Sequence, residues 1–119
     1  TTEGGINVLD NIQVLSDAIK QLHLHEIEVS LFIEPEITQI DAAAEINSDY
    51  IEIHTGVFAN ALSEEEQFDE LEKIRIASKH AKKLGLGVNA GHGLPEQSEI
   101  TENFKIINLH LYHLYSHLK

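Results

Sequence analysis

His92 stands between Gly91 and Gly93, directly after the strand-like run Val88-Asn89-Ala90. An imidazole titrates near neutrality, so a histidine at such a turn can give or take a proton. Its glycine neighbours let the backbone approach a ligand and adopt conformations that other residues avoid. The plainer alternative is a loop imidazole that caps a backbone group. Glu52 is the second candidate, inside Tyr50-Ile51-Glu52-Ile53-His54. Period two puts Tyr50, Glu52 and His54 on one strand face and Ile51 and Ile53 on the other. Covering helices prefer the isoleucines, so Glu52 is expected to face away from them. A carboxylate buried there must be paired, protonated or functional; an ion pair that only holds the fold is the competing explanation. Thr1 and Thr2 precede Gly4 and Gly5 and could offer hydroxyls and N–H groups to an anion ahead of a helix. An ordinary loop explains them from composition alone. His110, His113 and His117 follow a three-and-four spacing that zinc ligands can use on a helix. A histidine-rich exposed terminus explains them more simply, and no metal site is expected. His23, His25 and His80 read as surface residues.

These groups need elements to position them. Apolar residues from Ile6 to Leu22 recur at helical spacing and predict an amphipathic helix over about 7–24. Glu28 to Ile33 is short, apolar and rich in strand formers, so it is expected to be a buried strand. Pro35 suits the first turn of a helix running from about 36 to 46. The next strand is expected from Tyr50 to Thr55, closed by Gly56. Ser63 and Glu66 have the spacing of a capping box, and a long helix should follow until Gly85 ends it. Leu86 to Ala90 is the third strand, with Gly91-His92-Gly93 after it. Residues 95–119 are harder to read: 104–111 could be a strand and 111–118 a short helix.

Strands alternating with helices at this length suit βα units with parallel strands. The expected class is α/β, either part of a (β/α)₈ barrel or a doubly wound sheet. In both, function gathers at the carboxyl ends of the strands, near Glu34, Thr55-Gly56 and His92.

The 119 residues allow one domain with a modest core. A formal net charge of −12 disfavours a nucleic-acid partner, because phosphate backbones attract Lys and Arg. The few cations cluster at Lys73, Arg75, Lys79, Lys82 and Lys83, as one exposed helix face would place them. Without Cys there is neither a disulfide nor a thiolate metal site. No apolar run approaches a membrane span, and no signal peptide is visible; the expectation is a cytoplasmic protein. The chain begins without Met and inside what reads as a loop, so a piece of a longer polypeptide is expected.

Four stretches in order carry a resemblance: Thr1-Thr2-Glu3-Gly4-Gly5, Val29-Ser30-Leu31-Phe32-Ile33, Tyr50-Ile51-Glu52-Ile53-His54-Thr55-Gly56 and Val88-Asn89-Ala90-Gly91-His92-Gly93-Leu94. Together they resemble the pyridoxine 5′-phosphate synthase family of vitamin B6 biosynthesis. Gly-His-Gly alone would be a weak signal; four motifs in order are specific.

The resemblance implies a TIM barrel, of which this chain is roughly the second half, and a homo-oligomer, an octamer in known members. It implies condensation of 3-amino-2-oxopropyl phosphate with 1-deoxy-D-xylulose 5-phosphate, without metal or organic cofactor. It makes His92 the proton donor and Glu52 an acid that stabilises the transition state. It puts Gly93 against the aminoketone phosphate and Thr1 against the deoxyxylulose phosphate. The family's Asn-x-Asp-His motif, a further His with a nearby Arg, and a catalytic Glu would precede Thr1 and are not in this chain. Its Asn-Ile-Gly-His phosphate motif has only Asn108-Leu109-His110-Leu111 as a counterpart, and 95–119 fits poorly. Residues 1–119 are therefore expected to form a single partial domain, inactive by itself. The rival expectation is a non-catalytic barrel remnant that binds or assembles.

Overall fold

The computed structural model describes residues 4–90 and 106–109. Asn7 starts the first helical segment: its Oδ1 accepts the Asp10 N–H at 3.1 Å, and its carbonyl accepts Asn11 Nδ2 at 2.7 Å. The Asn11 N–H donates to the Val8 carbonyl at 3.0 Å and closes one 3-10 turn, Leu9–Asn11, which runs into α1, Ile12–Leu24. Leu15 and Ile19, four apart and hence on one face, are buried. The chain turns through Glu26, at φ 58°, into β1, Glu28–Ile33.

α2 spans Ile37–Glu45, with Glu36 as N-cap. Pro35 therefore stands just outside the helix rather than in its first turn. The Glu36 N–H bonds back to the Glu34 carbonyl at 2.7 Å, and this tight turn delays the helix. Asn47, at φ 67°, leads into β2. β2 covers only Tyr50–Ile53, shorter than the sequence suggests. Gly56 does not simply close it but begins a single-turn helix, α3, Gly56–Ala59. α4 is Glu64–Lys83, and the Ser63 Oγ accepts the Glu66 N–H at 3.1 Å, the first bond of the expected capping box. Gly85, at φ +88°, takes the left-handed conformation that ends the helix. β3 is Gly87–Ala90 and β4 is Ile106–Leu109.

The four strands form one parallel sheet in the order β3-β2-β1-β4. The first three are neighbours in succession, as consecutive strands of a barrel segment would be. The fourth pairs with the far edge of β1 instead of continuing beyond β3. That edge would otherwise present unpaired backbone groups. Strand alternation sends Val29, Leu31, Ile33, Ile51 and Ile53 into one core with Leu15, Ile19, Ile40 and Ala81 from the helices. On α4, Lys73 and Arg75 are exposed and pair with Glu70 and Glu72 at 3.0 and 2.9 Å. The Arg75 guanidinium bonded to Glu72 holds that carboxyl below its ordinary pKa.

Candidate active site at the carboxyl ends of the strands

The opposite sheet face carries polar groups. Register aligns Phe32 with Glu52, and Glu52 with Asn89, in one row across β1, β2 and β3. The row below aligns Ser30 with Tyr50 and Tyr50 with Gly87. Glu52 is only 4% exposed and Phe32 3%. The expected separation of Glu52 from Ile51 and Ile53 is thus observed. Ser30 is also buried, and its Oγ has no hydrogen-bond partner among the described residues. Gly87 is required by packing: a Cβ there would overlap the Tyr50 ring. Burial, and then the nearby Glu28 carboxylate, raise the Tyr50 hydroxyl above its ordinary pKa.

Glu34 and His54 meet just past the ends of β1 and β2. The His54 N–H donates to the Ile33 carbonyl at 2.8 Å, so the two strands stay together beyond their last paired residues. The His54 Nδ1 lies 2.9 Å from Glu34 Oε2. An ionised carboxylate only accepts, which assigns the proton to Nδ1. The same Oε2 accepts the Gly5 N–H at 2.7 Å. The imidazole also meets Phe32 edge-on, with ring centroids 5.1 Å apart and planes at 64°. Gly56 makes room for this ring, since a Cβ would lie 2.7 Å from His54 Nε2.

A cavity of about 190 Å³ opens beside this pair, lined by Glu34, His54, Phe58, Glu70 and Lys73 among others. A larger one of about 490 Å³ lies at the amino ends, around His23, Glu28, Asp49 and Tyr50. The amino-end location speaks for stability rather than chemistry, because parallel α/β folds work at the opposite end.

Of the four residues given a catalytic or substrate-binding role from sequence, the structure describes Glu52 alone. His92, Gly93 and Thr1 lie outside the described residues, as do His110, His113 and His117. Two histidines read as surface have carboxylate partners: His23 Nε2 lies 2.8 Å from Asp49 Oδ2, and His80 Nε2 lies 2.6 Å from Asp41 Oδ1. Both imidazoles are partly buried. Their partners are 26 and 39 residues away, a separation no local pattern reports. The Glu34–His54 pair escaped sequence reading in the same way, although both residues fall near strand ends. Among the described residues no helix is long and apolar enough to cross a membrane.

A parallel α/β sheet, apolar toward its helices and polar on its other face, with carboxylate and imidazole at the carboxyl ends, has the layout of α/β enzymes. The chain belongs to the family described as pyridoxal phosphate biosynthesis protein PdxJ, whose model matches residues 1–113. It is 52% identical over 94 residues to a pyridoxine 5′-phosphate synthase of Geobacter sulfurreducens, covering 79% of this chain and 39% of that protein. It is 49% identical over 115 residues to the synthase of Sulfurihydrogenibium, covering 95% and 47%. The Colwellia psychrerythraea synthase is 51% identical over 94 residues, covering 79% and 38%. The chain spans less than half the length of these curated relatives.

Proposed function

We propose that this chain supplies part of the active site of a pyridoxine 5′-phosphate synthase, a condensing enzyme of vitamin B6 biosynthesis. Its substrates in this reading are 3-amino-2-oxopropyl phosphate and 1-deoxy-D-xylulose 5-phosphate. The relatives carry that name, and the observation within the chain that carries the reading is Glu52. It is a buried carboxylate in a short parallel strand, on the face turned away from the helices. Joining an amine to a ketone and then closing a ring requires several proton transfers. Groups at the carboxyl ends of the strands can perform them within one enclosed volume. Glu52 acts on charge that develops in the transition state, where a carboxyl group held out of water acts strongly. His92 follows β3 by two residues and donates a proton, Gly93 contacts the aminoketone phosphate, and Thr1 contacts the deoxyxylulose phosphate. The chain is in this reading about half of a TIM barrel in a cytoplasmic homo-oligomer, and the remaining acid–base groups come from the part that precedes Thr1 in the relatives.

The test uses the full reading frame that carries this chain, with both substrates and pyridoxine 5′-phosphate as the measured product. His92→Asn should lower kcat by about 10²–10⁴-fold, the usual contribution of a positioned acid or base. Glu52→Gln, which keeps shape and removes charge, should lower kcat as well. Undiminished product formation by His92→Asn would refute the role given to that imidazole. A wild-type protein that binds neither substrate would refute the synthase reading itself.

A further inference from the structure

The Glu34 carboxylate ties together segments that the sequence keeps far apart. Its Oε2 accepts both the Gly5 N–H, 29 residues upstream, and the proton on His54 Nδ1, 20 residues downstream. The Gly4-Gly5 segment rests directly on the end of β1. A Cβ at Gly5 would lie 2.7 Å from Ile33 Cα, Ile33 C and Glu34 N, and the Ile6 N–H donates to the Phe32 carbonyl at 2.7 Å. On the other side of the bridge, His54 packs against Phe32, whose cross-strand partner is Glu52. One oxygen therefore fixes the loop relative to the row of residues that contains Glu52. A carboxylate accepting two N–H bonds is a stronger and more directional tie than neutral pairs would give.

We propose that Glu34 is a positioning residue that, through Gly5 and His54, latches the Gly4-Gly5 segment over the carboxyl ends of β1 and β2, so that this segment is already in place when a phosphorylated substrate arrives. This deepens the synthase reading and rests on it for the identity of the substrate, because Thr1 lies four residues ahead of Gly5. Pre-placing a binding loop lowers the cost of ordering it on association. Losing Glu34 should therefore weaken binding more than it slows the chemistry.

The test compares wild type, Glu34→Ala and Glu34→Gln in the full reading frame. Hydrogen exchange is followed at residues 4–8, and kcat and KM are measured separately for 1-deoxy-D-xylulose 5-phosphate. Glu34→Ala should release the Gly5 N–H to faster exchange and raise KM by about tenfold, with kcat changed by less than about threefold. Glu34→Gln retains an acceptor oxygen and should recover most of both. Should Glu34→Ala fail to fold, Glu34→Asp, one methylene shorter, gives the same readings. Wild-type exchange and KM in Glu34→Ala would overturn the proposal, as would a fall in kcat alone. The exchange measurement needs no turnover. A wild-type protein that makes no pyridoxine phosphate yet loses Gly5 protection in Glu34→Ala would sink the synthase reading and leave the latch standing.

Discussion

Replacing Gly5 by alanine tests how closely the loop is seated. The added Cβ would lie 2.7 Å from three backbone atoms, where ordinary contacts begin at 3.4 Å, leaving a deficit of 0.7 Å (3.4 − 2.7). The end of β1 cannot yield easily, because the Ile33 carbonyl also holds the His54 N–H. The loop must therefore lift. A 0.7 Å shift takes both 2.7 Å bonds, Gly5 N to Glu34 Oε2 and Ile6 N to the Phe32 carbonyl, to about 3.4 Å, the edge of hydrogen bonding. Losing a charged bond worth ~1.5–3 kcal/mol and a neutral one worth ~1 kcal/mol costs ~2.5–4 kcal/mol. Alanine recovers ~0.4–1 kcal/mol by restricting the unfolded chain, so the net destabilisation should be ~1.5–3.5 kcal/mol. Urea unfolding of the full-length protein measures it as a lower midpoint at unchanged slope. Gly4→Ala is the control, because its Cβ meets only Glu34 Oε2, at an ordinary 3.7 Å; it should stay within ~0.5 kcal/mol of wild type. Equal effects at Gly4 and Gly5, or a Gly5→Ala cost below ~0.5 kcal/mol, would refute the close seating.

Other substitutions probe the parts that hold the sheet. Asp49 Oδ2 accepts the Val29 N–H and faces His23 Nε2, each at 2.8 Å, so Asp49→Ala should destabilise by ~2–3 kcal/mol and Asp49→Asn, which keeps an acceptor, by about half as much in denaturant titrations. Ser63→Ala removes the cap of α4 and should cost ~1 kcal/mol, with Ser63→Asp close to wild type, read by thermal melting followed by circular dichroism. Tyr50 has a raised pKa in the folded protein, through burial first and Glu28 second. Its contribution to stability is full below the unfolded value near 10 and is lost as pH rises through the higher folded value. Ultraviolet titration should accordingly show a late phenolate phase that Tyr50→Phe removes, and a Tyr50→Phe titration unchanged from wild type would contradict this.

Local pattern carried much of the fold. β1 falls on Glu28–Ile33 as its strand formers suggest, and α4 begins after Ser63 and ends at Gly85 as capping chemistry requires. Those signals sit within a few residues of the structure they specify. β2 ends two residues early because the chain turns at Thr55 into α3, where the Thr55 carbonyl accepts the Ala59 N–H at 3.0 Å. Period two placed Glu52 opposite Ile51 and Ile53, and the structure buries it there. It could not name the row Phe32, Glu52 and Asn89, because register between strands depends on how whole elements pack.

The sequence by itself determined the alternation of helices and strands, the apolar face that each turns to the core, and the residue types available for proton transfer. Hydrophobic periodicity and caps are short-range, so they survive in a linear text. Tertiary structure alone decided that β4 lies beside β1, that His23 and His80 find carboxylates, and that Glu34 joins Gly5 to His54. Each of these depends on groups brought within about 3 Å by folding after long separation in the chain. A hydrogen bond is selective at that distance and leaves no trace in the spacing of residues. The chemistry of this chain was therefore visible as a set of parts, and the latch around Glu34 became visible only when the strands had paired.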